Sequence, residues 1–88
     1  MNNKTIWITG GSTGIGRALA IKFANNGWNV AISEISENLL NELSDKYENI
    51  TSFPLDVTDK IKCTEVFTQI KNKFQEIDIC FFSTGTWN

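Results

Sequence analysis

Histidine is missing from the 88-residue sequence, proline occurs once and cysteine twice. Without histidine the chain has no side chain whose ordinary pKa makes it a ready general base near neutral pH. Cys63 and Cys80 are too few and too widely spaced for a disulfide scaffold or a zinc site, and they read as buried thiols in a reducing cytoplasm. Positive charge is in short supply too: 8 Lys and Arg stand against 10 Asp and Glu, for a net charge of −2. Proteins that grip phosphate backbones normally carry a clear basic excess, so nucleic acid is not an expected partner. No apolar stretch approaches the roughly 18 residues of a membrane helix. Met1 to Lys4 lead straight into Thr5-Ile6-Trp7-Ile8-Thr9, too short for the apolar region of a secretory signal. Membrane insertion and export are both disfavoured, and a cytoplasmic location is expected.

What is present is ordinary for a globular protein: 41% hydrophobic residues, 20% charged and 6 glycines, which argues against disorder and against a fibrous repeat. A chain of this length hides only roughly 60–65% of the surface its unfolded form exposes, enough for one small domain over residues 1–88 and too little for a separate substrate domain. Apolar runs recur at Ile6-Trp7-Ile8, Val30-Ala31-Ile32, Ile50 to Phe53 and Ile79-Cys80-Phe81-Phe82. Helical spacing fills the gaps. Ile15, Leu19 and Phe23 fall at i, i+4, i+8, as do Leu39, Leu43 and Tyr47, while Cys63, Val66, Phe67, Ile70 and Phe74 make a one-sided stripe. The order is β-α-β-α-β-α-β. Asn25-Asn26-Gly27 supplies a stop for the first helix, Ser36 a cap for the second and Asp59 a cap for the third. Short continuous apolar strands predict burial on both faces, the α/β class of a doubly wound parallel sheet in α/β/α layers.

Thr9-Gly10-Gly11-Ser12-Thr13-Gly14-Ile15-Gly16 follows the first strand and opens the first helix. Pyrophosphate binding needs glycine at such a place: Gly10 for the sharp turn, Gly14 for close backbone approach to the phosphates and Gly16 for tight packing of helix on sheet. The free N–H groups and dipole of the helix start then face the anion. A glycine-rich turn that binds nothing is the bland alternative; the strand, the helix and an acidic residue at Glu34 in the right order favour the binding role. A triphosphate P-loop shares the spacing from Gly11 to Gly16, but Arg17 and Ala18 stand where it needs Lys and Ser or Thr.

Residues 9–16 carry Thr-Gly-x-x-x-Gly-Ile-Gly at every specified position, and the chain resembles the short-chain dehydrogenases/reductases. Glu34 at the end of the second strand, Asp56-Val57 after the third and Asp78-Ile79 before the fourth extend the likeness along the whole length. The resemblance implies a Rossmann-type sheet with strand order 3-2-1-4 and a nicotinamide dinucleotide as partner. It places Ser12, Thr13 and the Ile15 backbone along the pyrophosphate, Asp56 at the adenine amino group and the Val57 backbone beside the ring. Asp56 reads equally as a turn or cap residue ahead of the third helix, and the two roles are compatible. The fourth strand departs from the family: Phe82-Ser83-Thr84-Gly85 stands where Asn-Asn-Ala-Gly is usual. Ser83 and Thr84 are still small enough to line a cofactor beside Gly85. Glu34, about 20 residues past the glycine turn, is placed to accept from the ribose hydroxyls, which implies NAD in preference to NADP.

The family's hydride transfer relies on a Ser, a Tyr-x-x-x-Lys pair and an Asn. Tyr47, the single tyrosine, is followed four residues later by Thr51. No catalytic residue is therefore assigned, and the chain is expected to be the N-terminal, nucleotide-binding portion of an oxidoreductase, inactive alone. A completed protein that assembles with copies of itself is compatible with this. A free-standing nucleotide-binding module and an interaction protein docking through the fourth strand are the alternatives. Of the remaining features, Trp7 is expected to pack in the core, Lys60, Lys62, Lys71 and Lys73 to form a solvated helix face, and Arg17 to serve the surface of the first helix.

Overall fold

A computed structural model of the chain describes residues 4–10, 14–35, 37–56 and 58–82. The elements follow the expected alternation: β1 (Thr5–Thr9), α1 (Gly14–Asn25), β2 (Asn29–Ser33), α2 (Glu37–Lys46), β3 (Ile50–Ser52), α3 (Lys60–Phe74) and β4 (Ile79–Phe82). The strands form one sheet in the order β3-β2-β1-β4, with every pairing parallel. Right-handed crossovers fix where the helices go. The chain moves one way from β1 to β3 and reverses to reach β4, so α3 lies on the opposite face from α1 and α2.

Period-two alternation divides β1 and β2 between the two faces. Ile6, Ile8, Val30 and Ile32 pack with Ala20 and Ala24 of α1 and with Leu40 and Leu43 of α2. On the other face, Trp7 and Ala31 meet Leu55 and the α3 residues Val66 and Ile70. The expected stripe of α1 is corrected by one position. Ile15 is 69% exposed and Leu19 and Phe23 are half-buried, while Gly16, Ala20 and Ala24 are the buried set. Bulky β-branched strands fill the space beneath the helix, so its central row must be small and the larger residues flank it. Among the described side chains of α2 the buried ones are Leu40 and Leu43, with Tyr47 half-buried beyond the helix end. The side chain of Leu39 lies outside the described residues.

The first helix ends as its Asn25-Asn26-Gly27 sequence predicts. Gly27 adopts φ +84°, its N–H donates to the Ala24 carbonyl at 3.1 Å and the Trp28 N–H donates to Phe23 at 3.1 Å. This paired closure needs a left-handed residue, for which glycine has no Cβ penalty. Trp28 then packs edge-on against Phe23, ring centroids 4.8 Å apart. Asp59 caps α3, accepting from the Lys62 N–H at 3.1 Å. Ser36, the expected cap of α2, lies outside the described residues.

The fourth strand is the exception to two-sided burial. β1 is buried throughout, whereas Ile79, Cys80 and Phe82 of β4 are exposed and Phe81 is half-buried. Among the described residues its single neighbouring strand is β1, and they leave one edge and much of one face of β4 uncovered. The buried-thiol expectation is corrected accordingly: Cys80 is exposed and Cys63 only half-buried. Open apolar edges template association. The 88-residue chain is expected to self-associate with rising concentration in sedimentation velocity. A single monomeric species at high concentration, with sharp cooperative unfolding, would contradict that expectation.

Candidate functional site

Three adjacent parallel strands deliver Gly10, Glu34 and Asp56 to one rim of the sheet, at the carboxyl ends of β1, β2 and β3. Backbone hydrogen bonds stitch the rim together where the ladder runs out. The Gly10 N–H donates to the Ser33 carbonyl at 2.7 Å, and the Leu55 N–H donates to the Glu34 carbonyl at 3.0 Å. Glu34 is half-buried, next to Ile35, which is 71% exposed.

Of the glycine turn, Gly10 and the stretch from Gly14 onward lie among the described residues. Gly10 takes φ +72° and Gly14 takes φ +56°, both in the left-handed region that side chains with a Cβ avoid. An ideal Cβ built on Gly14 meets nothing within 4 Å. Packing among the described residues thus leaves open space beside the first residue of α1, where the helix presents N–H groups that have no intrahelical partner. Gly16, the third residue of α1, is buried. Ser12, Thr13, Val57, Ser83, Thr84 and Gly85 lie outside the described residues, as does Trp87.

Asp56 is exposed and occupied by its own turn. Its Oδ1 accepts from the Thr58 N–H at 2.9 Å and from the Thr58 hydroxyl at 2.7 Å. These two donors, the hydroxyl first, hold the carboxyl below its ordinary value of 3.8. The turn reading of Asp56 is therefore correct, and its Oδ2 takes no part in those bonds. Because the folded-state pKa is depressed, the stabilisation is present above the unfolded-state value and is lost as pH falls through the folded one. Thr58→Ala is expected to move the Asp56 titration, followed by carbon-detected NMR, back toward 3.8. An unchanged titration would show that the hydroxyl does not hold the carboxylate.

Arg17 is paired with Glu42 of α2 at 3.2 Å, an exposed bridge between the two helices. The α3 lysines Lys60, Lys62, Lys71 and Lys73 are all exposed, a solvated face as expected. Two features were not read from the sequence. Asp78 fastens β4 to β1: the Thr5 N–H donates to its Oδ2 at 2.8 Å and its own N–H donates to the Thr5 carbonyl at 2.9 Å. On the α3 side a cleft of about 500 Å³ is lined by Trp7, Thr9, Leu55, Cys63, Phe67 and Phe82 among others. It continues the apolar core under α3 into the uncovered part of β4. The width of the α3 stripe, from Cys63 to Phe74, was the sequence signal for it.

Comparison with known proteins gives the same result as the geometry. A family profile described as short chain dehydrogenase matches residues 4–88. An uncharacterized oxidoreductase of Bacillus subtilis, YxbG, is 39% identical over 89 residues, covering 97% of this chain and 33% of that protein. L-rhamnose-1-dehydrogenase of Scheffersomyces stipitis is 32% identical over 93 residues, covering 97% of this chain and 36% of its own length. Among solved structures, ElxO with NADP bound superposes with a TM-score of 0.87 at 31% identity, over 99% of this chain and 37% of that one. The chain thus spans about a third of the length of these relatives. With the glycine turn, the parallel order β3-β2-β1-β4 and the sequence match in agreement, the chain belongs to the short-chain dehydrogenase family.

Proposed function

We propose that the chain is the dinucleotide-binding portion of a nicotinamide-dependent oxidoreductase, with hydride transfer between the cofactor and an alcohol or carbonyl substrate in the complete protein. The observation that carries this is the pair of left-handed glycines, Gly10 and Gly14, with open space beside Gly14 among the described residues at the start of α1. A pyrophosphate fits such a place, because the helix-start N–H groups and dipole supply what the anion needs. Gly10, Ser12, Thr13, Gly14, the Ile15 backbone and Gly16 would hold the phosphates. Glu34 would accept from the adenosine ribose, and Asp56 with the Val57 backbone would meet the adenine. Ser83, Thr84 and Gly85 would line the far side. The bound cofactor supplies the hydride donor or acceptor; these residues bind and orient it.

NAD is the preferred cofactor in this proposal. ElxO holds NADP; the preference for NAD rests instead on the carboxylate at position 34 and the apolar Ile35 beside it. Because no acid/base set is present among the 88 residues, a non-catalytic nucleotide-binding module is the second reading.

Calorimetric titration of the chain with NAD tests the site. Binding is expected in the unmutated chain and should be lost in Gly14→Val, whose branched side chain disfavours the left-handed conformation by roughly 1–2 kcal/mol and fills the open space. Far-UV circular dichroism of the variant separates lost binding from lost helix. Equal binding by a folded Gly14→Val would rule out the glycine turn as the phosphate site.

A further inference from the structure

Trp7 is a large residue in the middle of a central strand, facing α3, and its contacts lead toward Gly10, Glu34 and Asp56 of the proposed cofactor rim. It is 4% exposed, and its indole N–H donates to the Ser33 hydroxyl at 2.9 Å. Directly opposite Trp7 on β2 stands Ala31, and Ser33 lies two residues further along the same face. The small Ala31 lets the indole lean diagonally across β2 to reach Ser33, a distance only a long side chain spans. The ring is also fixed from the other side, edge-on to Phe82 at 5.7 Å and tilted to Phe67 at 6.2 Å.

Ser33 is the last residue of β2, paired with Thr9, the last of β1. Beyond that pair the strand ladder no longer fixes the backbone. Single hydrogen bonds take over there: the Ser33 carbonyl holds the Gly10 N–H, and the Glu34 carbonyl holds the Leu55 N–H. Leu55 itself packs in the same buried cluster as Trp7 and is followed by Asp56. One indole therefore touches the side chain of the residue that anchors Gly10 and precedes Glu34, and it supports the residue that precedes Asp56.

We propose that Trp7, acting through the Ser33 hydroxyl, is a positioning residue for cofactor binding, holding the glycine turn and Glu34 in register from beneath the sheet. This rests on the dinucleotide reading of the rim. Trp7 and Ser33 act without touching the cofactor themselves. Trp7→Phe keeps an aromatic ring over Ala31 and removes the donor; Ser33→Ala removes the acceptor.

The test uses the 88-residue chain and these variants at low concentration, with two readouts. Amide hydrogen exchange on the unliganded protein is expected to speed up about five- to tenfold at Gly10 and Leu55 in either variant, as for the loss of one hydrogen bond. The Gly27 and Trp28 amides, at the opposite end of the sheet, should stay unchanged. NAD affinity should fall by a similar factor, and the ratio of NAD to NADP affinity should shrink because Glu34 is no longer held. If Trp7→Phe does not fold, Ser33→Ala, which deletes only a hydroxyl, carries the test. Folded variants with Gly10 and Leu55 exchange and NAD affinity like the unmutated chain would overturn the proposal. So would acceleration spread evenly over all amides, which would mark a purely structural role. Should the unmutated chain not bind NAD, the dinucleotide reading fails, and exchange at Gly10 and Leu55 still decides whether Trp7 sets the rim.

Discussion

Mixed with NAD(H) or NADP(H) and a panel of alcohols and ketones, the purified 88-residue chain is expected to give no turnover above a Gly14→Val control. A positioned general acid or base contributes typically 10²–10⁴-fold, and hydride transfer to or from an oxygen needs one to move the proton. The chain has no histidine. Tyr47, the sole phenol, is half-buried against the core shared by α1 and α2. Asp56 is bound to Thr58 and held in its ionised form, so at neutral pH it has no proton to give. Even with a cofactor bound at this rim as proposed, no side chain among the described residues there is prepared to exchange a proton with a substrate oxygen. Reproducible turnover that Gly14→Val abolished would show that these residues suffice for the chemistry.

Discrimination between the two nicotinamide dinucleotides is the second large effect. Glu34 comes directly after the last residue of β2, and its backbone is fixed by the hydrogen bond from Leu55. A carboxylate there can accept from the ribose hydroxyls, whereas a 2′-phosphate would meet like charge. Charge-assisted hydrogen bonds contribute roughly 1.5–3 kcal/mol each, and every 1.4 kcal/mol is about tenfold. The expected preference for NAD is at least about ten- to hundredfold. The basic residues that would hold a 2′-phosphate are missing at Thr13 and Ile35. Titration with AMP and with adenosine 2′,5′-bisphosphate isolates the adenosine half of the question, and Glu34→Ala with Ile35→Arg should reverse the order. Equal affinities in the unmutated chain, or no shift in the double variant, would show that Glu34 does not read the ribose.

Much of this architecture was legible because its signals are local. The strands are short apolar runs, Gly27 ends α1 by a conformation only glycine takes cheaply, and Asp59 caps α3 with a side chain three residues from its donor. Gly10 and Gly14 were readable for the same reason: a positive φ leaves a mark on residue choice. The features that failed to show depend on partners distant in sequence. The buried row of α1 is Gly16, Ala20 and Ala24, because the bulk of β1 and β2 beneath it decides which helix face fits, and periodicity alone points to the larger Ile15, Leu19 and Phe23. Cys80 looks like a core thiol in an apolar strand, yet it is exposed, because among the described residues no element covers its side of β4. Asp78 pairs with Thr5 across 73 residues and Trp7 with Ser33 across 26. The end of α3 carries no glycine signal at all; Gln75 takes the left-handed φ of +75° and closes the helix by donating to Lys71 at 2.6 Å.

Whether the rim formed by Gly10, Gly14, Glu34 and Asp56 binds a dinucleotide through its phosphates and adenosine is tested most directly by NMR. NAD is titrated into the isotopically labelled chain at low concentration, and each backbone amide is tracked. Saturable shifts are expected at Gly10, Gly14, Ile15, Glu34 and Asp56, with Gly27 and Trp28 unmoved. The absence of shifts, or shifts confined to the α3-side cleft around Cys63 and Phe67, would contradict dinucleotide binding at this rim.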